Sequence, residues 1–557
     1  MGYSEELLAE LRQRLGPDLI SEFRGNRNTF WVQTQRERVR EIAKYLTKEA
    51  QGRLIHISTI DKGLDGYEVV YHYAFDHLDR FLHLNVKAAL SPDEPEVESV
   101  SVDAPESSWS EREMMEFTPV RFIGHPDPRH LWLPYEWPNP VESEKCEHYV
   151  DKDGNPQIIV DPLKNVEASL IPLGPYHPFL IEGAYFRVKV EGEEITGADV
   201  KLGWNHRGIM KLFEGRSYSR GVFLAERICG ICNVTHTTAY LNAVETLSGV
   251  EIPDRARHLR TMMAELERIH SHLLWLGVAG DLIGFKTLFM LSWKVREQVL
   301  DIFESLTGSR RAPAMNLIGG VRKDVTSETI TKTDRRLRSM KAEVKKLIDI
   351  VYNHPVVRRR LQDIGRLDLA TAKAAGAVGP TARASGWKLD TRWSSPYAAY
   401  GSEYTTWDII TEDGGDVWSR TIVRLKEMLV SIEILLQCLE GLNRTAGPIL
   451  VEAVDPKDFK LKEALGKAEA PRGELMYYLV SDGTNIPHSV RIRTPSFRNN
   501  ALVPRLLRGH TIADAPIIVG SIDPCYSCTD RVVTIVDSRT GRTTPIPLCN
   551  SLSKRSK

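Results

Sequence analysis

The chain has 557 residues, 73 Lys+Arg against 74 Asp+Glu, and a hydrophobic fraction of 42 %. That length points to more than one domain and that composition to globular cores, while a net charge of −1 offers phosphate no general attraction and argues against nucleic acid as a partner. No apolar run approaches the ~20 residues of a membrane-crossing helix, and residues 1–16 carry charges where a signal peptide has an apolar core, so neither spanning nor export is expected.

Helical periodicity over 4–15 and 35–48, followed by Ile-, Val- and Tyr-rich segments at 54–60, 67–75 and 80–86, predicts a small α/β unit over residues 1–140. The Trp- and Pro-rich stretches at 109–117, 124–129 and 133–137 predict an irregular packed wrap. Residues 141–166 are polar, contain an Asp-Gly-Asn-Pro turn and predict a linker. A second unit over 167–531 starts with segments 184–190 and 195–201 about the turn 191–194, a hairpin signal. From Gly221 to about Asn353 the pattern is helical. Leu259, Met262, Met263, Leu266, Ile269, Leu273 and Leu276 recur at three- and four-residue spacing, which predicts a long helix with one buried face. Similar stripes occupy 284–307, 335–353 and 416–442, and Gly/Pro clusters at 374–386 and 470–473 break the helical runs. The expected class is α+β: a small α/β domain, then a large, mainly helical domain with a β-hairpin region at its start.

Of the seven cysteines, Cys146, Cys438 and Cys549 are scattered, and four form the pairs Cys229-x-x-Cys232 and Cys525-x-x-Cys528. So few cysteines do not make a disulfide scaffold, and two such pairs can close a four-thiolate metal site. Spacing alone favours structural zinc. Against it, zinc ribbons usually place their pairs ~15–20 residues apart, whereas these lie nearly 300 apart in the flanks Arg227-Ile-Cys-Gly-Ile-Cys-Asn-Val-Thr-His236 and Asp523-Pro-Cys-Tyr-Ser-Cys-Thr-Asp-Arg531.

These flanks resemble the paired cysteine signatures of the [NiFe]-hydrogenase large subunit, in the membrane-bound, energy-converting group related to respiratory complex I. Residues 171–531 resemble that subunit and the 49-kDa-type subunit of complex I, with shared stretches at 266–274, 316–322, 379–386 and 469–473. Residues 1–140 resemble the 30-kDa-type subunit, notably at 112–117 and 124–129, and the fusion is similar to the formate hydrogenlyase type of large subunit. Complex I relatives have lost the four cysteines that this chain keeps.

The resemblance implies a Ni-Fe(CN)2CO binuclear centre, with Cys229 and Cys525 as terminal nickel ligands and Cys232 and Cys528 bridging nickel to iron. It places the Arg472 guanidinium over the open metal position, Asp523 as its carboxylate partner, Glu182 as the group that passes protons from the Cys525 thiolate, and His236 as a hydrogen-bond donor. His270 and His272 read as packing and hydrogen-bonding residues, His177 as part of a quinone-contacting loop in the complex I relatives and as a packing residue in a hydrogenase, and Arg358, Arg359 and Arg360 as a solvated or interface face. No cysteine motif is left for an iron–sulfur cluster, so a partner subunit with a [4Fe-4S] cluster is implied. Further implied partners are complex I-like membrane subunits, other iron–sulfur electron-transfer subunits, a maturation protease and nickel-insertion proteins. The chain would lie peripherally on the cytoplasmic side of the membrane and reduce protons to H2, reversibly, with electrons from formate, carbon monoxide or ferredoxin. Residues 532–557, with five basic residues and one Asp, form a C-terminal extension expected to be cut between Arg531 and Val532. The alternatives are a nickel-free quinone oxidoreductase subunit of complex I type and a structural zinc protein.

Overall fold

The computed structural model describes residues 3–25, 28–77, 82–133, 169–451, 459 and 461–530. The expected linker over 141–166, the expected cleavage point and the 532–557 extension lie outside the described residues.

In the N-terminal unit, β1 (Leu19–Arg24), β2 (Thr29–Thr34), β3 (Arg53–Asp61), β4 (Tyr67–Phe75) and β5 (Leu82–Leu90) form one sheet in the order β1-β2-β5-β4-β3. β2 and β5 run parallel, the other neighbours antiparallel. Side chains alternate across the pleat. Leu54, Ile57, Val69, Tyr71 and Phe75 join a core closed by Leu8, Leu11 and Ile42 from the helices Tyr3–Leu15 and Val39–Lys44. Ile55, Ile60, Val70 and Ala74 instead pack with Met476, Tyr478 and Val480 of the second unit. Both faces are covered, which is why these strands read as near-continuous apolar runs. β1 was not legible because it is an edge strand, exposed along most of its length.

Residues 109–117 form not an irregular wrap but the helix Ser108–Phe117. Buried Glu111, Arg112, Glu113 and Glu116 hide its amphipathic pattern. Those side chains have work to do: Glu116 accepts the amides of Trp132 and Leu133, and Arg112 donates to the carbonyls of Arg129 and His130.

The second unit opens with the expected hairpin, Tyr185–Glu191 and Glu194–Lys201, joined by Ser169–Leu173 into a three-stranded sheet. The helices Asp254–Leu282, Lys286–Thr307, Ser327–Asn353 and Val417–Arg444 share one large apolar core. The stripe on Asp254–Leu282 is buried, but so is most of its circumference, including Arg260, Glu265, Glu267, Arg268, His270 and His272. Buried polar groups need partners, and these have them: Arg260 pairs with Glu245 at 2.6 Å, His272 with Glu427 at 2.9 Å, and Arg296 donates to His270 at 2.6 Å. The cluster at 470–473 breaks no helix. It is the turn between Glu463–Ala470 and Gly473–Ser481, strands of an antiparallel sheet completed by Pro487–Arg493. The first of these strands, EALGKAEA, has no β-branched residue, so propensity gave no sign of it.

Candidate metal centre

The two cysteine pairs meet. Cys229 Sγ lies 3.5 Å from Cys525 Sγ, and Cys232 Sγ lies 3.4 Å from Cys528 Sγ. The Cys229, Cys232 and Cys528 sulfurs all fall within 4.8 Å of one another. A disulfide needs ~2.05 Å, so these are not disulfides, whereas thiolates each ~2.3 Å from a shared ion stand roughly 3–4 Å apart. All four are buried.

Both pairs are held in the same way. Each second cysteine donates its amide to the sulfur of the first, Cys232 N to Cys229 Sγ and Cys528 N to Cys525 Sγ, both at 3.4 Å. Ile231 N adds a bond to Cys229 Sγ at 3.3 Å. Cys232 immediately precedes the 16-residue helix Asn233–Ser248, whose N-terminal amides and dipole favour negative charge beside it. Four thiols this close cannot all ionise on their own. Cys229 titrates well below the ordinary thiol range because it accepts hydrogen bonds from Cys232, Cys525 and Cys528. Donation to Cys229 pushes Cys232 and Cys525 up, and burial pushes Cys528 up. A metal cation is the species that lets all four become thiolates together.

Arg472 sits in the 470–473 turn, buried against this cluster. Its Nε donates to the Asp523 carbonyl at 2.7 Å, its Nη2 to Asp523 Oδ1 at 2.8 Å, and its Nη1 reaches Ser271 Oγ at 3.4 Å. Burial works against its charge, but Asp523 and the Cys525, Cys232 and Cys229 sulfurs more than offset this and hold it cationic. Asp523 adopts a left-handed backbone, φ +54°, costly for a residue with a Cβ and common where a site dictates the conformation. Its second oxygen, Oδ2, is buried without a hydrogen-bond partner. Gly379 and Gly473 allow the tight approach behind the turn: a Cβ on Gly379 would stand 2.2 Å from the Arg472 carbonyl.

Glu182 is half-buried between the cluster and solvent. Its Oε2 accepts the Ser527 amide at 2.7 Å, and Cys525 Sγ lies 3.8 Å from Oε1. On its other side opens a cleft of about 410 Å³ lined by Tyr176, His177, Ile181 and Glu182. His236 Nε2 lies 3.4 Å from Cys528 Sγ while its Nδ1 meets the Tyr477 hydroxyl at 2.8 Å. His270 and His272 are engaged elsewhere, and the three arginines at 358–360 stand on a largely exposed helix.

Three contributors escaped the sequence reading. Ser496 Oγ accepts the Cys525 amide at 3.0 Å, and Thr494 donates to the Cys528 carbonyl at 3.0 Å. Glu267 caps the helix behind the first pair, accepting Val234 N at 2.6 Å and Thr235 N at 3.1 Å, and burial raises its pKa to about 8. Nothing local marks the first two. Glu267 was visible only as a charge beside the buried stripe.

Comparison with known proteins agrees with this geometry. Residues 32–145 match the family described as the 30 Kd subunit of respiratory-chain NADH dehydrogenase, and residues 282–460 and 454–531 match its 49 Kd subunit. Residues 207–277, which contain the first cysteine pair, match the nickel-dependent hydrogenase family. The chain is 35 % identical to formate hydrogenlyase subunit 5 of Escherichia coli over 91 % of this chain and 90 % of the relative. It is also 35 % identical to hydrogenase-4 component G of the same organism, over 98 % and 95 %. A solved archaeal complex, the membrane-bound sulfane sulfur reductase, contains a chain with a TM-score of 0.62 and 30 % identity, over 65 % of this chain and 98 % of that one. Fold and cysteine cluster together define a complex I-type large subunit with cysteines placed to hold a metal. The chain belongs to the membrane-bound [NiFe]-hydrogenase large-subunit family related to complex I, an oxidoreductase acting on H2 and protons. Membership implies a nickel–iron centre, and four converging soft thiolates fit one. No described helix is long and apolar enough to cross a membrane.

Proposed function

We propose that Cys229 and Cys525 are the terminal nickel ligands, that Cys232 and Cys528 bridge nickel to iron, and that the iron carries CO and cyanide. The observation that carries this is the crosswise convergence of the two pairs, 3.4 and 3.5 Å between sulfurs. When bound, such a centre supplies heterolytic chemistry on H2.

The chain's own residues then handle charge and protons. Arg472, fixed by two bonds to Asp523, holds a planar cation beside the sulfurs, where it stabilises charge that develops in a site closed to water. Cys525 Sγ accepts a proton and passes it to Glu182 Oε1, 3.8 Å away in this conformation, a gap that a small rotation of the carboxyl closes. Glu182 meets the open cleft and releases the proton there.

Electrons enter through a partner carrying a [4Fe-4S] cluster, since no cysteine pair is left for one here, and originate from a low-potential donor such as formate, carbon monoxide or ferredoxin. Partner subunits of complex I type hold the chain at the cytoplasmic face of the membrane, other iron–sulfur subunits relay electrons, and nickel-insertion proteins and a protease complete the site. The catalytic domain spans 167–531, after a 30-kDa-type domain over 1–140 and a linker over 141–166, with 532–557 removed on maturation.

The test is an infrared spectrum of the anaerobically purified complex. Stretches of metal-bound CO and cyanide are expected. Their absence from nickel-replete, assembled protein would return the four cysteines to zinc.

A further inference from the structure

Residues 203–208 play no part in the chemistry above, yet they touch three of the segments that build the site, the two cysteine loops and the Glu182 loop. Arg207 Nη2 donates to the carbonyl of Ile228 at 2.7 Å and to that of Ser527 at 2.8 Å, and Nη1 donates to the carbonyl of Arg227 at 3.1 Å. Ile228 directly precedes Cys229, and Ser527 directly precedes Cys528. One guanidinium therefore spans both cysteine loops, one peptide away from a sulfur ligand in each. Two residues earlier, Asn205 donates its amide to Asp530 Oδ2 at 2.8 Å and its side-chain amide to the carbonyl of Gly183 at 2.5 Å. That adds the end of the second loop and the neighbour of Glu182 to the same brace.

The brace is firmly rooted. Gly208, at φ +61°, turns the chain into the short helix Ile209–Phe213, whose Ile209, Met210 and Phe213 are buried, with the Phe213 ring against Tyr240 and Tyr477. Arg207 itself is exposed, so trimming it opens no hole in a core.

The peptide between Ser527 and Cys528 shows what the arrangement does. Its carbonyl accepts from Arg207, while its N–H donates to Cys525 Sγ at 3.4 Å. A cation on the carbonyl end polarises the peptide and strengthens the N–H end, so Arg207 both fixes where Cys525 and Cys528 stand and steadies negative charge on sulfur. With loop carbonyls turned outward to Arg207, the loops turn amides inward to the thiolates. Lysine, a compact point charge on a flexible stem, lacks the rigid planar fork that spreads Nη1 and Nη2 over these three carbonyls.

We propose that Arg207 is the positioning residue of the metal centre, setting the register of the two cysteine loops and, with Asn205, tying them to the Glu182 loop. This rests on the four-thiolate reading of the site.

The test uses the assembled complex with Arg207→Gln and Arg207→Lys. Nickel per chain, nickel loss to a chelator, the thermal midpoint, and kcat and KM for H2 are compared with the unaltered complex. The expected result for Arg207→Gln is an unchanged thermal midpoint, nickel loss about tenfold faster, and a fall in kcat with KM for H2 held. Arg207→Lys should fall between the two. Unaltered nickel retention and turnover in Arg207→Gln would overturn the proposal. So would a drop in thermal midpoint that Arg207→Lys shares in full, since that marks a general structural role. An unaltered complex without nickel would instead bring down the four-thiolate reading itself, a result visible before any variant is made.

Discussion

Charge is buried in two places, the seam between the two units and the sulfur cluster, and the two settle it differently. At the seam, Arg53 forks onto Glu474 at 2.8 and 3.1 Å and also meets Asp76 at 2.8 Å, while Lys467 and Arg493 converge on the same Glu474. Lys87 answers Glu463 and Glu68 nearby. Each of these charges has a counter-charge supplied by the chain. At the cluster Arg472 spends its hydrogen bonds on Asp523 and Ser271, Arg207 spends its own on loop carbonyls, and the four thiols are left to share protons among themselves. A self-neutralised cluster is a joint. A cluster that neutralises only by holding protons on good ligands is a site for a cation.

The sharpest way to break that contrast is Cys528→Ser. An alkoxide is a harder ligand and serine holds its proton far more tightly, so nickel content should collapse and H2 turnover fall at least ~100-fold, with the complex still assembled. Metal analysis beside a hydrogen assay decides it, and normal turnover would end the ligand assignment. Arg472→Lys comes next. It keeps the charge and loses the planar fork on Asp523, so turnover should fall on the order of 100-fold while nickel stays in place. Near-normal turnover would remove Arg472 from the chemistry.

These two tests use residues that could be read from the sequence, and the reason is physical. Cysteine pairs and the Ala-Pro-Arg-Gly turn are local patterns, because a ligand pair or a tight turn is made by neighbours in the chain. The α/β unit, the hairpin at 184–201 and the bundle helices were legible likewise, through periodicity. What escaped depends on distant segments meeting. Glu463, Lys467 and Glu474 look like the solvated face of a helix until β3 and β5 cover them, and Ser496 is an ordinary serine until the Cys525 amide arrives. The helix Ser108–Phe117 was missed because its buried side of charged residues reads as an exposed one.

The seam itself can be opened with Glu474→Gln, which takes the shared anion from Lys467 and Arg493 and leaves Arg53 with Asp76 alone. Breaking a buried pair by removing one partner costs about 3–5 kcal/mol. The thermal midpoint of the assembled complex should drop clearly. A midpoint within a degree of the unaltered protein would show that the seam does not depend on this anion.

A third solution sits between the other two. Glu111 is buried in the N-terminal unit with only the His125 ring beside it at 3.7 Å, an imidazole whose pKa burial lowers to about 4, and it accepts Ser99 Oγ at 2.5 Å, Val100 N at 2.9 Å and Ser101 Oγ at 2.8 Å. Burial outweighs those bonds and lifts its pKa to about 7, so it settles its charge by keeping a proton. The sign of the consequence follows. Between pH ~4.3, where an unfolded glutamate ionises, and pH ~7, the folded chain binds a proton that the unfolded chain has released. Stability contributed by Glu111 is therefore full below that window, declines as pH rises through it, and is lost above. A shift of this size corresponds to roughly 4 kcal/mol. Glu106, raised to about 7 by the same burial, adds a slope of the same sign. Glu111→Gln keeps the shape, and the serine hydroxyls can rotate to accept from the new amide. Urea midpoints between pH 4.5 and 7.5 should fall less steeply for the variant than for the unaltered chain. Parallel slopes would mean that Glu111 is already ionised in the fold, and that its serine cage, unlike the sulfur cluster, tolerates a bare charge without a cation.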